Sequence, residues 1–148
     1  MGKNVLPSMW ELWQLTEVEQ LQKSNEYSRQ YGLTLSQKEI QTLAEGHQKA
    51  LKENGRVEFG EGVLRKLIRA FCGSPYLQQE EYSQTLFELQ DLFYYFKGQA
   101  MERLTDDELI AAMRQIFDQP AQGSLDYLAG TGLEELCRQA RGGGYCGT

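Results

Sequence analysis

Apolar residues recur along most of this chain at the three-and-four spacing of one helix face. Ile40, Leu43, Ala44, His47, Ala50 and Leu51 make one such stripe, with a histidine in the middle of it. Leu64, Leu67, Ile68 and Phe71 make a second. Leu109, Ile110, Met113, Ile116 and Phe117 make a third, and Leu133, Leu136, Cys137 and Ala140 a fourth. Residues 76–97 form the longest predicted helix. Its seam of Tyr82, Leu86, Leu89, Phe93 and Phe96 alternates four and three, the spacing of a coiled-coil-like contact. The first segment, 9–31, is less regular. Leu12, Leu15, Val18 and Leu21 are spaced by threes, so their ridge drifts round the helix, which suits a break near Ser24-Asn25.

Helix ends agree with the stripes. Ser8/Glu11, Ser36/Glu39, Thr105/Glu108 and Thr131/Glu134 each read as a capping box, in which the hydroxyl takes the third amide and the glutamate reaches back. Ser74-Pro75 reads as a cap followed by proline at the first helical position. Tyr31-Gly32, Asn54-Gly55, Gly98 and Gly142-Gly143-Gly144 read as stops. The prediction is a compact all-α bundle of six or seven helices over 1–141, followed by a flexible glycine-rich tail at 142–148.

"NGRVEFGEG", residues 54–62, breaks the pattern. Arg56-Val57-Glu58-Phe59 alternates, so the segment near 56–59 is expected to lie extended, as one short strand or an unpaired corner. Gly60-Glu61-Gly62 precedes a helix as a phosphate loop would. No Lys-Ser/Thr pair follows it, and Glu61 would repel an anion. The simpler expectation is a helix corner, with Gly55 in a left-handed cap and Gly60 and Gly62 easing the turn.

Several phrases go beyond periodicity. "YGLTLS" (31–36), "GRVEFGEGVL" (55–64), "AFCGSPYL" (70–77), "TLFELQDLFYYFK" (85–97), "DDELI" (106–110) and "GSLDYLAGT" (123–131) together resemble a family of small uncharacterised bacterial proteins, found mainly in anaerobic Gram-positive bacteria. The resemblance covers roughly residues 25–141 and implies a bacterial, cytosolic setting. The family brings no activity, fold or ligand with it.

Composition narrows the function classes. The longest apolar runs are four or five residues, far from the roughly 20 that span a bilayer, and Met1–Pro7 lacks the apolar core of a secretory signal. A cytoplasmic protein without a membrane partner is expected. Three cysteines at wide spacing (Cys72, Cys137, Cys146) make neither a disulfide framework nor a metal knuckle. The net charge of −6 disfavours nucleic acid as a partner. Residues 75–137 hold twelve acids against three bases, while 61–74 hold three bases (Arg65, Lys66, Arg69) against one acid. The acidic clusters fall in first turns of predicted helices, where the macrodipole favours them. His47 has Ala50 and Leu51 at the next-turn positions and no metal-ligand partner in sequence.

Two functional readings remain. The first is a non-enzymatic interaction or regulatory module, binding a protein partner or a second copy. Its surface would be the second face of the long helix, through Phe87, Tyr94 and Tyr95. The alternative is a small-molecule binder or enzyme with a pocket near the 55–62 loop, where His47, Arg56 and Glu58 supply the polar groups. No catalytic residue, cofactor or metal is assigned in either.

Overall fold

The computed structural model describes residues 8–58 and 60–142. It is all-α. The helices are α1 (Met9–Ser28), α2 (Gln37–Glu53), α3 (Val63–Phe71), α4 (Tyr82–Gln99), α5 (Asp106–Asp118), the single turn α6 (Leu125–Tyr127) and α7 (Leu133–Arg141). One 3-10 turn, Arg29–Tyr31, follows α1, and another, Gln79–Glu81, leads into α4. The tail expected at 142–148, Cys146 included, lies outside the described residues except for Gly142.

α4 is the central element. It packs on α2, α3, α5 and α7, while α1 lies across α2 and α3. The seam from Tyr82 to Phe96 is buried as its spacing predicts. It meets Leu43 and Leu51 of α2, Leu64, Leu67 and Phe71 of α3, and Met113 and Phe117 of α5 in one continuous core. Three of the four predicted capping boxes form, at Ser8, Ser36 and Thr105. Each ties two amides that the helix start leaves without partners.

Three expectations change. The long helix begins at Tyr82 rather than 76. The Ser74 hydroxyl donates to Asp118 Oδ1 at 2.7 Å and accepts from the Tyr76 amide, so Ser74-Pro75 closes a turn instead of capping a helix. Thr131 starts no helix. The true start is Ser124, whose hydroxyl accepts from the Tyr127 amide, and a π-helical turn, Leu128–Gly132, carries the chain straight into α7. α1 runs through Ser24-Asn25 unbroken. The Ser24 hydroxyl donates to the Gln20 carbonyl within the helix, and the Asn25 amide brackets the Leu35 backbone from outside it. Arg56–Glu58 belongs to no helix or strand among the described residues, which is the unpaired corner of the two forms expected.

The seam of α1 also differs from the leucine ridge. Glu17, Leu21, Ser24 and Ser28, spaced four, three and four, are the buried positions, with Trp10 and Trp13 half-buried ahead of them. Leu12 and Leu15 are exposed. The helix therefore buries a mostly polar stripe, and its two ends serve different tasks. Ser28 and Asn25 latch the 33–35 loop through hydrogen bonds to the Leu33 and Leu35 backbone. Trp10, Trp13 and Glu17 face the 57–62 segment.

Candidate functional site

His47 lies in α2, and its stripe turns it fully into the protein. A buried imidazole needs partners for both nitrogens. Nδ1 is 2.6 Å from Glu17 Oε2, supplied by α1. Nε2 is 3.1 Å from Glu58 Oε1 and 2.9 Å from the Tyr94 hydroxyl of α4. A carboxylate opposite each nitrogen makes both nitrogens donors, the imidazolium form. Burial works against that charge, but the hydrogen bonds to Glu17 and Glu58 outweigh it and push His47 up to about 9.

Glu58 is the hub. Its Oε1 also accepts from the Val63 amide at 3.1 Å, and its Oε2 accepts from the Tyr94 hydroxyl at 2.6 Å. Burial favours its neutral form, yet these donors and the His47 charge hold the carboxyl down at about 2. Burial, with the same carboxylate, pushes the Tyr94 hydroxyl far above the ordinary phenol range. Arg56 Nη2 donates to Glu58 Oε2 at 3.3 Å and to Asp106 Oδ2 at 2.9 Å, and its guanidinium lies over the Phe93 and Tyr94 rings. Lys97 Nζ closes the row at 2.9 Å from Asp106 Oδ1 and also donates to the Leu104 carbonyl.

The result is a chain of alternating sign: Glu17, His47, Glu58, Arg56, Asp106, Lys97. Three anions meet three cations, so the row is formally neutral, which offsets the cost of burying charge. It also explains the "RVEF" alternation. Arg56 and Glu58 turn inward to the chain while Val57, 51% exposed, turns out. The segment is held by side chains from α2, α4 and α5 and by the Val63 amide instead of by a partner strand.

Above Glu17 and Glu58 lies a groove of about 250 Å³, lined by Met9, Trp10, Leu12, Trp13, Thr16, Gln20, Val57, Gly60 and Gly62. Trp13 stands in T-shaped contact with both Trp10 and His47, at ring separations of 5.9 and 5.1 Å. The glycines now have distinct reasons. Gly55 and Gly60 have φ of 62° and 72°, which only glycine adopts easily. Gly62 has ordinary backbone angles. A Cβ there would stand 3.2 Å from the His47 ring, 3.3 Å from Glu58 Oε1 and 3.6 Å from Glu17 Oε1, so its bareness makes room at the base of the groove. Gln20 fastens the far rim, donating to the Gly60 carbonyl.

The structure therefore gathers His47, Arg56 and Glu58 into one cluster and adds Tyr94 to it. Phe87, Tyr94 and Tyr95 share no surface. Tyr94 is buried, Phe87 is half-buried against Gly46, and Tyr95 is 55% exposed on the side facing α7. Glu17, Trp10, Trp13, Asp106 and Lys97 were missed as site residues. One signal was available: Trp10, Trp13, Glu17 and Gln20 recur at helical spacing on one face of α1. The basic face of α3 is engaged, Arg65 and Arg69 with Glu61 and Lys66 with Asp107. Cys72 and Cys137 are buried, and burial raises both thiols. Among the described residues no group of three histidine, cysteine or acidic side chains is arranged to hold a metal ion. No helix among them is long and apolar enough to cross a membrane.

No curated protein and no solved structure matches the chain. A family of unknown function (DUF6323) matches residues 20–145, which takes in His47, Glu58, Arg56, Tyr94, Asp106 and Lys97 but leaves Trp10, Trp13 and Glu17 ahead of the match; the chain belongs to that family.

Proposed function

We propose that this protein is a non-catalytic binding module of the bacterial cytoplasm and that its site is the groove between α1 and residues 57–62. The observation that carries this reading is the support beneath the groove. A pre-formed hollow with aromatic walls rests on two carboxylates whose positions are fixed by the buried ion chain. Rigid, largely apolar hollows with a few fixed polar groups are the usual form of ligand sites. The same chain argues against proton-transfer chemistry. Their mutual contacts raise His47 and lower Glu58, away from neutrality in both cases, which suits a holding role better than proton exchange near pH 7. The cytoplasmic setting rests on the sequence resemblance.

Trp10 and Trp13 are the chain's two tryptophans, and both line the groove, so intrinsic fluorescence reads its occupancy. A small-molecule screen by emission and thermal shift is expected to find ligands that move both signals. Leu12→Arg, at an exposed lining position, is expected to abolish both effects without lowering the melting temperature. Ligands that stabilise the protein equally well in that variant would place binding elsewhere and end this reading.

A second reading, interaction through a protein surface, draws on the exposed apolar residues Met9, Leu12 and Leu15 of α1 and Tyr95 of α4. Native mass spectrometry tests it through subunit count. A dimer broken by Leu15→Glu would support it, and a monomer at all concentrations would count against self-association.

A further inference from the structure

We propose that the groove takes an elongated organic amine, with its ammonium on Glu17 and its apolar body along Trp13 and Trp10. The inference rests on the groove being the binding site and adds the chemistry of the occupant.

Glu17 carries the argument. Its side chain is only 5% exposed, and one oxygen, Oε2, is used by His47. The other, Oε1, accepts no hydrogen bond among the described residues, although it belongs to a groove-lining side chain beside bare Gly62. On a side chain this little exposed, an acceptor that lines the groove is placed to take a donor from it. An ammonium N–H meets that acceptor best, since a charge-assisted bond is the stronger kind.

The rest of the lining favours the same occupant. Its charged residues are Glu17 and Glu58, both anionic, and no lysine, arginine or histidine lines it among the described residues. An anionic ligand would meet two carboxylates, and a neutral one would leave Oε1 without a charged partner. The aromatic wall suits a cation as well. Lys52 Nζ already sits over Trp10, 5.1 Å from the ring centre, outside the lining set. The open acceptor selects an amine bearing N–H over a quaternary ammonium, which has no hydrogen to give. Length follows from the helix. Trp10 and Glu17 are seven residues apart on one face of α1, about 10 Å at 1.5 Å per residue. A headgroup at Glu17 with a body reaching Trp10 is therefore a slender arylalkyl or alkyl amine.

The test titrates the full chain with 4-phenylbutylamine, 4-phenylbutanol and 4-phenylbutyrate, following tryptophan emission. The amine is expected to bind on the order of tenfold or more tighter than the alcohol, and the carboxylate weakest. Glu17→Gln is expected to remove that preference. Because Glu17 also holds His47, a second variant keeps the ion chain whole: Val57→Lys sets a rival cation on the exposed rim. It is expected to weaken the amine by a larger factor than the alcohol. Equal binding of amine and alcohol, or an amine preference that survives both variants, overturns the ammonium assignment and leaves the groove reading standing. Absence of any emission change with all three probes overturns both.

Discussion

The molecule holds two sets of ion pairs built from the same residue types. On α3, Arg65, Lys66 and Arg69 meet Glu61 and Asp107 at the surface. Beneath the groove, His47, Arg56 and Lys97 meet Glu17, Glu58 and Asp106 in the interior. The surface pairs compete with water and salt, so each contributes about 0–1 kcal/mol. In the inner row Glu17, His47, Glu58 and Lys97 are at most 8% exposed and have lost most of their water, while Arg56 and Asp106 keep part of theirs; removing the partner of a buried charge leaves that charge stranded. Burial separates a decoration from a structural element. Their places differ as well: the α3 pairs tie Glu61 and Asp107 to a helix from outside, whereas the inner row holds residues 56–58 and the floor of the groove.

The largest predicted effect is at the hub. Glu58→Ala leaves His47 with Glu17 and Arg56 with Asp106 as their remaining carboxylates, takes the acceptor from the Tyr94 hydroxyl and the Val63 amide, and is expected to cost about 3 kcal/mol in denaturant unfolding. A loss below about 1 kcal/mol would put the interior row on a par with the surface pairs. Next comes pH. His47 is raised from 6.5 to about 9, so the stability it contributes is complete below 6.5 and is lost as pH rises through about 9. Glu58 is lowered from 4.5 to about 2, so its contribution is complete above 4.5 and is lost as pH falls through about 2. For these two groups, stability is highest between about 4.5 and 6.5, and a melting-temperature profile still rising at pH 8 would contradict that. Thr105→Ala removes the α5 cap, with an expected cost of about 1 kcal/mol. Smallest is Glu61→Gln, expected within about 1 kcal/mol and fading in high salt.

The contrast also shows what the sequence reveals. Apolar stripes carry a period, so α2, α3, α5, α7 and the α4 seam were legible from spacing alone. The capping boxes fixed three starts because Ser or Thr and Glu at that separation act locally. Thr131/Glu134 failed by the same rule, since a helix already running through the motif leaves no bare amides to cap. The seam of α1 was hidden for a different reason. Glu17, Ser24 and Ser28 are buried, so the residues that follow the helical period are polar, while Leu12 and Leu15 point outward. Hydrophobicity can track burial only where burial is apolar.

The candidate site was half legible. His47, Arg56 and Glu58 stood out as polar groups near a glycine-rich corner, and the fold brings them together. Tyr94 was read as part of an outward aromatic face, and it is instead the phenol that joins His47 to Glu58. Trp10, Trp13 and Glu17 escaped because their contacts span 30 or more residues of sequence, as the Glu17–His47 pair does. Gly62 read as a turn glycine. Its ordinary backbone angles show that it is small because an imidazole and two carboxylates crowd the place where its side chain would stand.

The central claim is that the interior row holds His47 as a buried imidazolium between two carboxylates. The chain has one histidine, so its ring signals in a pH-titrated NMR spectrum need no assignment. The account predicts that the imidazolium form persists through neutral pH and titrates near 9, with both ring N–H protons protected from exchange. A ring that titrates at or below the ordinary 6.5, or that is neutral at pH 7, would contradict it and remove the support on which the groove rests.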